Sequence, residues 1–280
     1  MAAAVDADGG IFQANHPSYR IEQVPQTCDQ MASGGTYMHW KYGFAVVPNS
    51  LEVWNPTALL APAEAYWECW LDRGVKMPAT AGSDTHGALG QVGTPTTWVF
   101  SRSRREADIV HAIDTGRTSL SRLSPALGGR RLLLEADSNG DGRFESMIGD
   151  TVKPGSTLRV RAEGLPNGGM LRVRANGKDL VADKPLPPGQ SVTVKSPKDG
   201  GWVRAVLYLP EILMSQDPGC SPNESPISLC SHDWAVAAMT SPIYLGKQDP
   251  VPTARTAPIP SSPPAELDSL PPLRPAKQGG

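Results

Sequence analysis

The sequence predicts an α/β protein in which a parallel sheet or barrel is followed by a small antiparallel β-sandwich and a disordered Pro-rich tail. Three changes of pattern carry this reading. Residues 1–125 alternate short apolar runs with helix-like segments, which argues for parallel strands joined by helices. Residues 131–246 alternate apolar and polar positions with no clear helix between them, the pattern of a sandwich. From Lys247 the periodicity stops, and 9 of the 28 prolines fall in the last 34 residues, so residues 247–280 read as disordered.

In the first region, "GGIFQANHP" is an apolar run stopped by Pro17, "SLEVWNP" a second stopped by Pro56, and "TPTTWVF" a third. A helix is expected from about Pro62, a residue suited to a first helical turn. It places Tyr66, Trp67, Trp70 and Leu71 on one face and stops at Gly74. A second helix opens with the capping-box spacing Ser103 to Glu106, buries Ile109, Val110 and Ile113, and stops at Gly116. In the second region "TLRVRAEG", "MLRVRANG", "QSVTVKS" and "WVRAVLYL" read as strands, with Asn176-Gly177 as a tight hairpin turn.

The 26 Lys and Arg against 28 Asp and Glu leave a formal charge of −2, so no overall field draws the chain to nucleic acid or to an anionic membrane. No apolar run approaches the roughly 20 residues of a spanning helix. The start "MAAAVDADGG" lacks the basic and apolar regions of a signal peptide. Cys28 and Cys69 are far apart in sequence, whereas Cys220 and Cys230 flank a polar loop that a local disulfide could close, which would suit an exported protein; two unpaired thiols remain the alternative.

Polar groups cluster at strand ends in the first region: His16 after "IFQAN", Glu52 and Asn55 in "LEVWN", Asp84 and His86 after "ATAG". In open-sheet and barrel α/β proteins such groups converge on one mouth where ligands bind. Imidazole and carboxylate are ligands for zinc, manganese or iron, and a bound divalent ion makes a hydroxide nucleophile near neutral pH. Bland readings stand beside this one. His16 could cap a strand, Glu52 be an edge charge and Asn55 a helix cap. His39, beside Trp40, reads as a packed surface histidine, and His111 as structural.

"GGIFQANHP", "LEVWN" and "ATAGSDTHG", in this order, resemble the later motifs of the PHP superfamily, the metallohydrolases named for polymerase and histidinol phosphatase, and within it the carbaryl-hydrolase-like branch. The likeness runs on through "GTPTTWVF", "TGRTSLS", "LLLEADSNGDGRFESMIGD", "GWVRAVLYL" and "MTSPIYLG". It implies a distorted β/α barrel, here partial, holding divalent metals that hydrolyse a phosphoester, amide or carbamate-like bond of a small-molecule substrate. By position His16, Asp84 and His86 match family ligands, while Glu52 and Asn55 match a motif beside the site that orients ligands or substrate.

The chain departs from the family pattern at its first motif. The five histidines are 16, 39, 86, 111 and 232, so no His-x-His is present, and the region before residue 131 is shorter than a barrel needs. The expectation is therefore the C-terminal half of such a domain, truncated or inactive as it stands, with exposed strand edges open to self-association. The competing function is a non-catalytic protein whose sandwich recognises a glycan or another protein. A serine or cysteine hydrolase finds no support, since Gly-x-Ser-x-Gly is absent. Finally, "DSNGDGRFE" puts Asp137, Asn139, Asp141 and Glu145 at positions 1, 3, 5 and 9 of a calcium-loop pattern, with Ile148 where the bidentate glutamate belongs. A polar turn between strands is the preferred reading of that loop.

Overall fold

A computed structural model describes residues 5, 7–21, 23, 25–87, 92–209 and 236–246. The apolar runs of the first region form β1 (Gln13–Ala14), β2 (Ser50–Trp54) and β3 (Ala79–Ala81), followed by β4 (Thr96–Val99) and β5 (Thr118–Ser121). Between them lie α1 (Cys28–Ser33), α2 (Leu60–Asp72) and α3 (Glu106–Asp114). The second region supplies β6 (Arg131–Asp137), β7 (Ser146–Met147), β8 (Thr151–Val152), β9 (Thr157–Glu163), β10 (Gly169–Ala175), β11 (Lys178–Leu186), β12 (Ser191–Lys195), β13 (Gly201–Tyr208), β14 (Val236–Thr240) and β15 (Ile243–Leu245).

The β/α barrel, partial or otherwise, is not what these strands build. β1, β2 and β3 are parallel and make an open three-stranded sheet in that order, and the one further parallel pairing among the described residues, β8 with β15, lies in the second region. β4 and β5 pair antiparallel to each other, and β5 pairs antiparallel to β14, so both join an eight-stranded sheet with the order β11-β10-β13-β14-β5-β4 and with β15 and β8 attached at β13. A four-stranded sheet, β12-β9-β6-β7, faces it. No sheet closes, and strand outweighs helix among the described residues.

The reason the parallel sheet stops is visible at the free edge of β3. Thr97 Oγ1 meets both the N–H and the carbonyl of Ala81, at 2.7 and 2.8 Å. The Ala79 N–H donates to Ser241 Oγ at 3.0 Å, and Thr118 Oγ1 donates to the Ala79 carbonyl at 2.7 Å. Hydroxyls from β4, β5 and the β14–β15 turn thus satisfy the outward groups that a further strand would have paired.

The large sheet is buried on both faces because β13 alternates two sets of apolar residues. Trp202, Val206 and Tyr208 pack with Leu120, Met239 and Tyr244 against α2 and the parallel sheet, in a core that includes Tyr66, Trp67 and Trp70. Val203, Ala205 and Leu207 pack with Leu132, Leu134, Val160 and Ile243 in the sandwich core. The expected hairpin is present: Ala175 faces Lys178 across Asn176 and Gly177, whose φ values of 49° and 71° give the positive-φ pair that a two-residue turn requires.

α2 runs as expected, with Tyr66, Trp67, Trp70 and Leu71 buried and Gly74, at φ 75°, ending it. α3 differs in its start. Ser103 Oγ accepts from the Arg105 N–H at 3.1 Å in a local turn, Arg105 is the N-cap, and Ala112 is the buried residue while Ile109, Val110 and Ile113 are half-buried. α1 is stapled to α2 by a disulfide between Cys28 and Cys69, with Cα atoms 5.7 Å apart. Sequence distance had hidden this pair, and Cys220 and Cys230 lie outside the described residues, as does the Pro-rich tail. Disulfides of this kind persist in oxidising compartments.

Glu64, Glu68 and Asp72, one turn apart on α2, form a stripe that meets the large sheet. Arg204 reaches Glu64 at 2.8 Å and Glu68 at 2.7 Å, Arg174 bonds both Glu68 oxygens at 2.7 Å, and Trp202 Nε1 donates to Asp72 at 2.7 Å. Burial alone would raise the Glu68 carboxyl, but the Arg204 and Arg174 charges hold it below the usual range. Arg204→Met should destabilise the chain by about 3–5 kcal/mol in urea denaturation, because it strands a buried carboxylate without its partner. Cys28→Ser should cost about 4 kcal/mol by the chain-entropy argument for a loop of this length, and an equal loss should follow reduction of the wild type.

Candidate functional site

The site is built at the carboxyl ends of three parallel strands. The chain leaves β1 at Asn15 and His16, leaves β2 at Asn55 and leaves β3 at Gly82 to Asp84, so the expected strand-end residues do share one edge. Gln13 ties the strands together beneath them, its Oε1 accepting from Ser50 Oγ at 3.0 Å and from Thr80 Oγ1 at 2.8 Å.

Glu52 is the centre of the arrangement. It is 6% exposed, and its Oε2 accepts from the His16 backbone N–H at 2.8 Å and from Asn55 Nδ2 at 3.1 Å. Asn55 Oδ1 in turn accepts from the Thr57 N–H at 2.8 Å. Thr57 Oγ1 lies 2.7 Å from Asn55 Oδ1 and 3.0 Å from Asp84 Oδ2; its single proton goes to the charged acceptor, Asp84. Asp84 Oδ1 then lies 2.9 Å from His86 Nε2. One continuous path of hydrogen bonds therefore runs from the end of β1, through β2, to the loop after β3.

Electrostatics separate the two carboxylates on that path. Burial pushes Glu52 up, and the Asp84 charge adds to it, against the hydrogen bonds from Asn55 and His16. Asp84 is held below its usual range, first by the Thr57 hydrogen bond and then by His86. A raised carboxyl and a depressed one on a single network are suited to different roles, one as proton acceptor and one as permanent anion.

The backbone here is strained and close-packed. His16 and Asp84 have φ of 33° and 49°, a region that side-chain-bearing residues seldom adopt and that concentrates at functional sites. A Cβ on Gly82 would lie 2.3 Å from Glu52 Oε1, so only glycine lets Glu52 occupy its place. Gly82, within the run of small residues before Asp84, thus serves the carboxylate of the neighbouring strand.

The expected metal triad is brought to one edge but not to one point. His86 pairs with Asp84 and its side chain is 87% exposed, while His16 is joined to Glu52 through its backbone N–H. Among the described residues, the one set of three such groups whose ligand atoms fall within 4.8 Å of one another is Asp137, Asp141 and Glu145. That loop closes by itself. Asp137 accepts from the N–H groups of Gly140, Asp141 and Gly142, at 2.6, 3.1 and 3.0 Å, Asn139 Oδ1 accepts from the Asp141 N–H at 2.9 Å, and Ile148 sits in the sandwich core. The preferred reading as a polar turn between β6 and β7 fits these bonds.

Two contributors were not singled out from sequence. Thr57 links Asn55 to Asp84, and the Asn-Pro-Thr order was its only signal, that of an Asx turn. Gly82 makes room for Glu52. His39, expected as a packed surface histidine, is exposed and packs its ring 5.1 Å from that of His16, with its backbone N–H donating to the Pro17 carbonyl at 2.8 Å. Partial burial, with the charges of His16, Lys41 and Arg20 behind it, lowers its imidazole.

The raised Glu52 has a sign that can be tested. An acid whose folded pKa is raised binds its proton more tightly when folded, so its charge costs stability above the folded pKa and costs nothing below the unfolded value. Glu52→Gln keeps an acceptor oxygen and should raise the melting temperature relative to wild type at about pH 8 but not at about pH 4. Searches of protein-family models, curated proteins and solved structures find no match for this chain.

Proposed function

We propose that this chain is a metal-dependent hydrolase of the PHP type in its chemistry, acting on a phosphoester, amide or carbamate-like bond at the ends of β1, β2 and β3. The observation that carries the reading is the continuous network from His16 through Glu52, Asn55 and Thr57 to Asp84 and His86. A structural turn has no need to join three strand ends through two carboxylates of opposite pKa tendency.

The residues that would hold a divalent ion are His16, Asp84 and His86, once His86 turns from its pairing with Asp84; as they stand their ligand atoms do not converge. Their fit rests on two features of the chain. His16 Nδ1 is buried and without a hydrogen-bond partner, an atom that an ion or a polar substrate group would satisfy. His86 is tethered by Asp84 alone among its hydrogen bonds, so rotation of this exposed ring frees imidazole and carboxylate together. When bound, a divalent ion supplies a water ionised near neutral pH and polarises the scissile group.

The protein's own groups then have distinct tasks. Glu52, raised by burial, is placed to take a proton from an attacking water or pass it to a leaving group. Asn55 holds that carboxylate in orientation, and its other end is held by the Thr57 N–H. Thr57 keeps Asp84 anionic.

The test pairs metal content with turnover. Elemental analysis of the full chain should find zinc, manganese or iron, and hydrolysis of nitrophenyl phosphate, an acyl nitroanilide or naphthyl methylcarbamate should be detectable. His16→Ala and Asp84→Asn should each lower metal content and cut turnover by roughly 100-fold. Absence of bound metal together with unaltered turnover in both variants would exclude the proposal.

A further inference from the structure

We propose that the β1 side of the mouth, formed by Tyr19, Arg20, His39 and Lys41, recognises a negatively charged group on the substrate, apart from the bond that is cut. The inference rests on the hydrolase reading for the word substrate, but the binding it describes is separable from turnover.

Charge is segregated across the mouth. Both carboxylates lie toward β2 and β3 and are already engaged, Glu52 by His16 and Asn55, Asp84 by Thr57 and His86. On the other side Arg20 and Lys41 have no carboxylate partner among the described residues. Lys41 lies two residues beyond His39, whose ring packs against His16.

The cationic side is also held in place. Tyr19 N–H donates to the His16 carbonyl at 2.9 Å, closing a turn whose Ser18 hydroxyl is buried and donates to the Leu59 carbonyl at 2.6 Å. Arg20 leaves this turn at φ 45° and stacks its guanidinium 4.8 Å from the Tyr19 ring centre. Tyr19 stands edge-on to His39, with ring centres 5.4 Å apart. Arg20 is exposed, and with its guanidinium on an aromatic face its N–H groups stay free for a carboxylate, phosphate or sulfate.

Calorimetric titration of the full chain, treated with a chelator, uses inorganic phosphate in one arm and benzoate in the other, which separates tetrahedral from planar anions. The expected result is saturable binding of at least one of them. Binding should weaken roughly tenfold in Arg20→Gln with Lys41→Gln, and weaken further with added salt. Lys195→Gln, a cation on β12 of the sandwich, is the control and should leave binding unchanged. Anion binding that is lost in the double variant supports the inference even where no hydrolysis is found, in which case only the hydrolase reading fails. The absence of saturable binding, or binding equal in the double variant and in wild type, overturns the inference even if hydrolysis is found.

Discussion

Arg204 is 2% exposed and lies on a strand that is covered on both faces, so the layers of this protein depend on how its charge is met. An unpaired guanidinium there would cost several kcal/mol, and the cost is offset only if α2 presents carboxylates at fixed spacing. Glu64 and Glu68 do so, and Asp72 extends the stripe to the Trp202 indole. Hydrophobic contact alone would allow α2 to slide along the sheet, because apolar burial has no direction. The ion cluster fixes its register. β2 and β3 precede and follow that helix, so the mouth inherits its position from Arg204.

The consequence for the site is a parallel sheet clamped from two sides. α2 covers one side of it, and hydroxyls of Thr97, Thr118 and Ser241 close the outer edge of β3. A strand edge satisfied by side chains is shorter-range than one satisfied by another strand, so it terminates the sheet without constraining what lies beyond. Three strands suffice to place three loops side by side. Convergence of strand ends at one edge does not need a closed barrel.

Some of this was legible in residues alone, and the division follows the range of the interaction. Local signals held: the helix over Tyr66 to Leu71, the Asn176-Gly177 turn, and the strand-end position of His16, Asn55 and Asp84 all depend on neighbours within a few residues. What failed was pairing. "TPTTWVF" and "RTSLS" have the length and composition of strands, but nothing in period-two alternation distinguishes parallel from antiparallel, and β5 finds its partner in β14, with Ser119 paired to Thr240 far along the chain. The hydroxyls were the overlooked signal. Thr118, Ser119, Ser121, Thr240 and Ser241 are all buried, and buried hydroxyls in strands have to be spent on something; here several cap a neighbouring edge. The Cys28–Cys69 bond was hidden for the same reason, since cysteine spacing does not determine connectivity.

The strain at the mouth completes the physical account. Positive φ at His16, Arg20 and Asp84 costs of order 1–3 kcal/mol at each position, and strain of this kind persists only where surrounding bonds over-determine it. Each has such bonds or sits in a turn that does: the His16 N–H is drawn to buried Glu52, the turn leading to Arg20 is tied down through Ser18, and Asp84 is pulled by Thr57 and His86. Relaxing His16 would release a donor from a carboxylate that burial already disfavours as an anion, so strain and charge at Glu52 are coupled. The same coupling would make the site responsive, because a group that neutralises or ligates Glu52, Asp84 or the unpartnered His16 nitrogen changes what the strained turns are being held against.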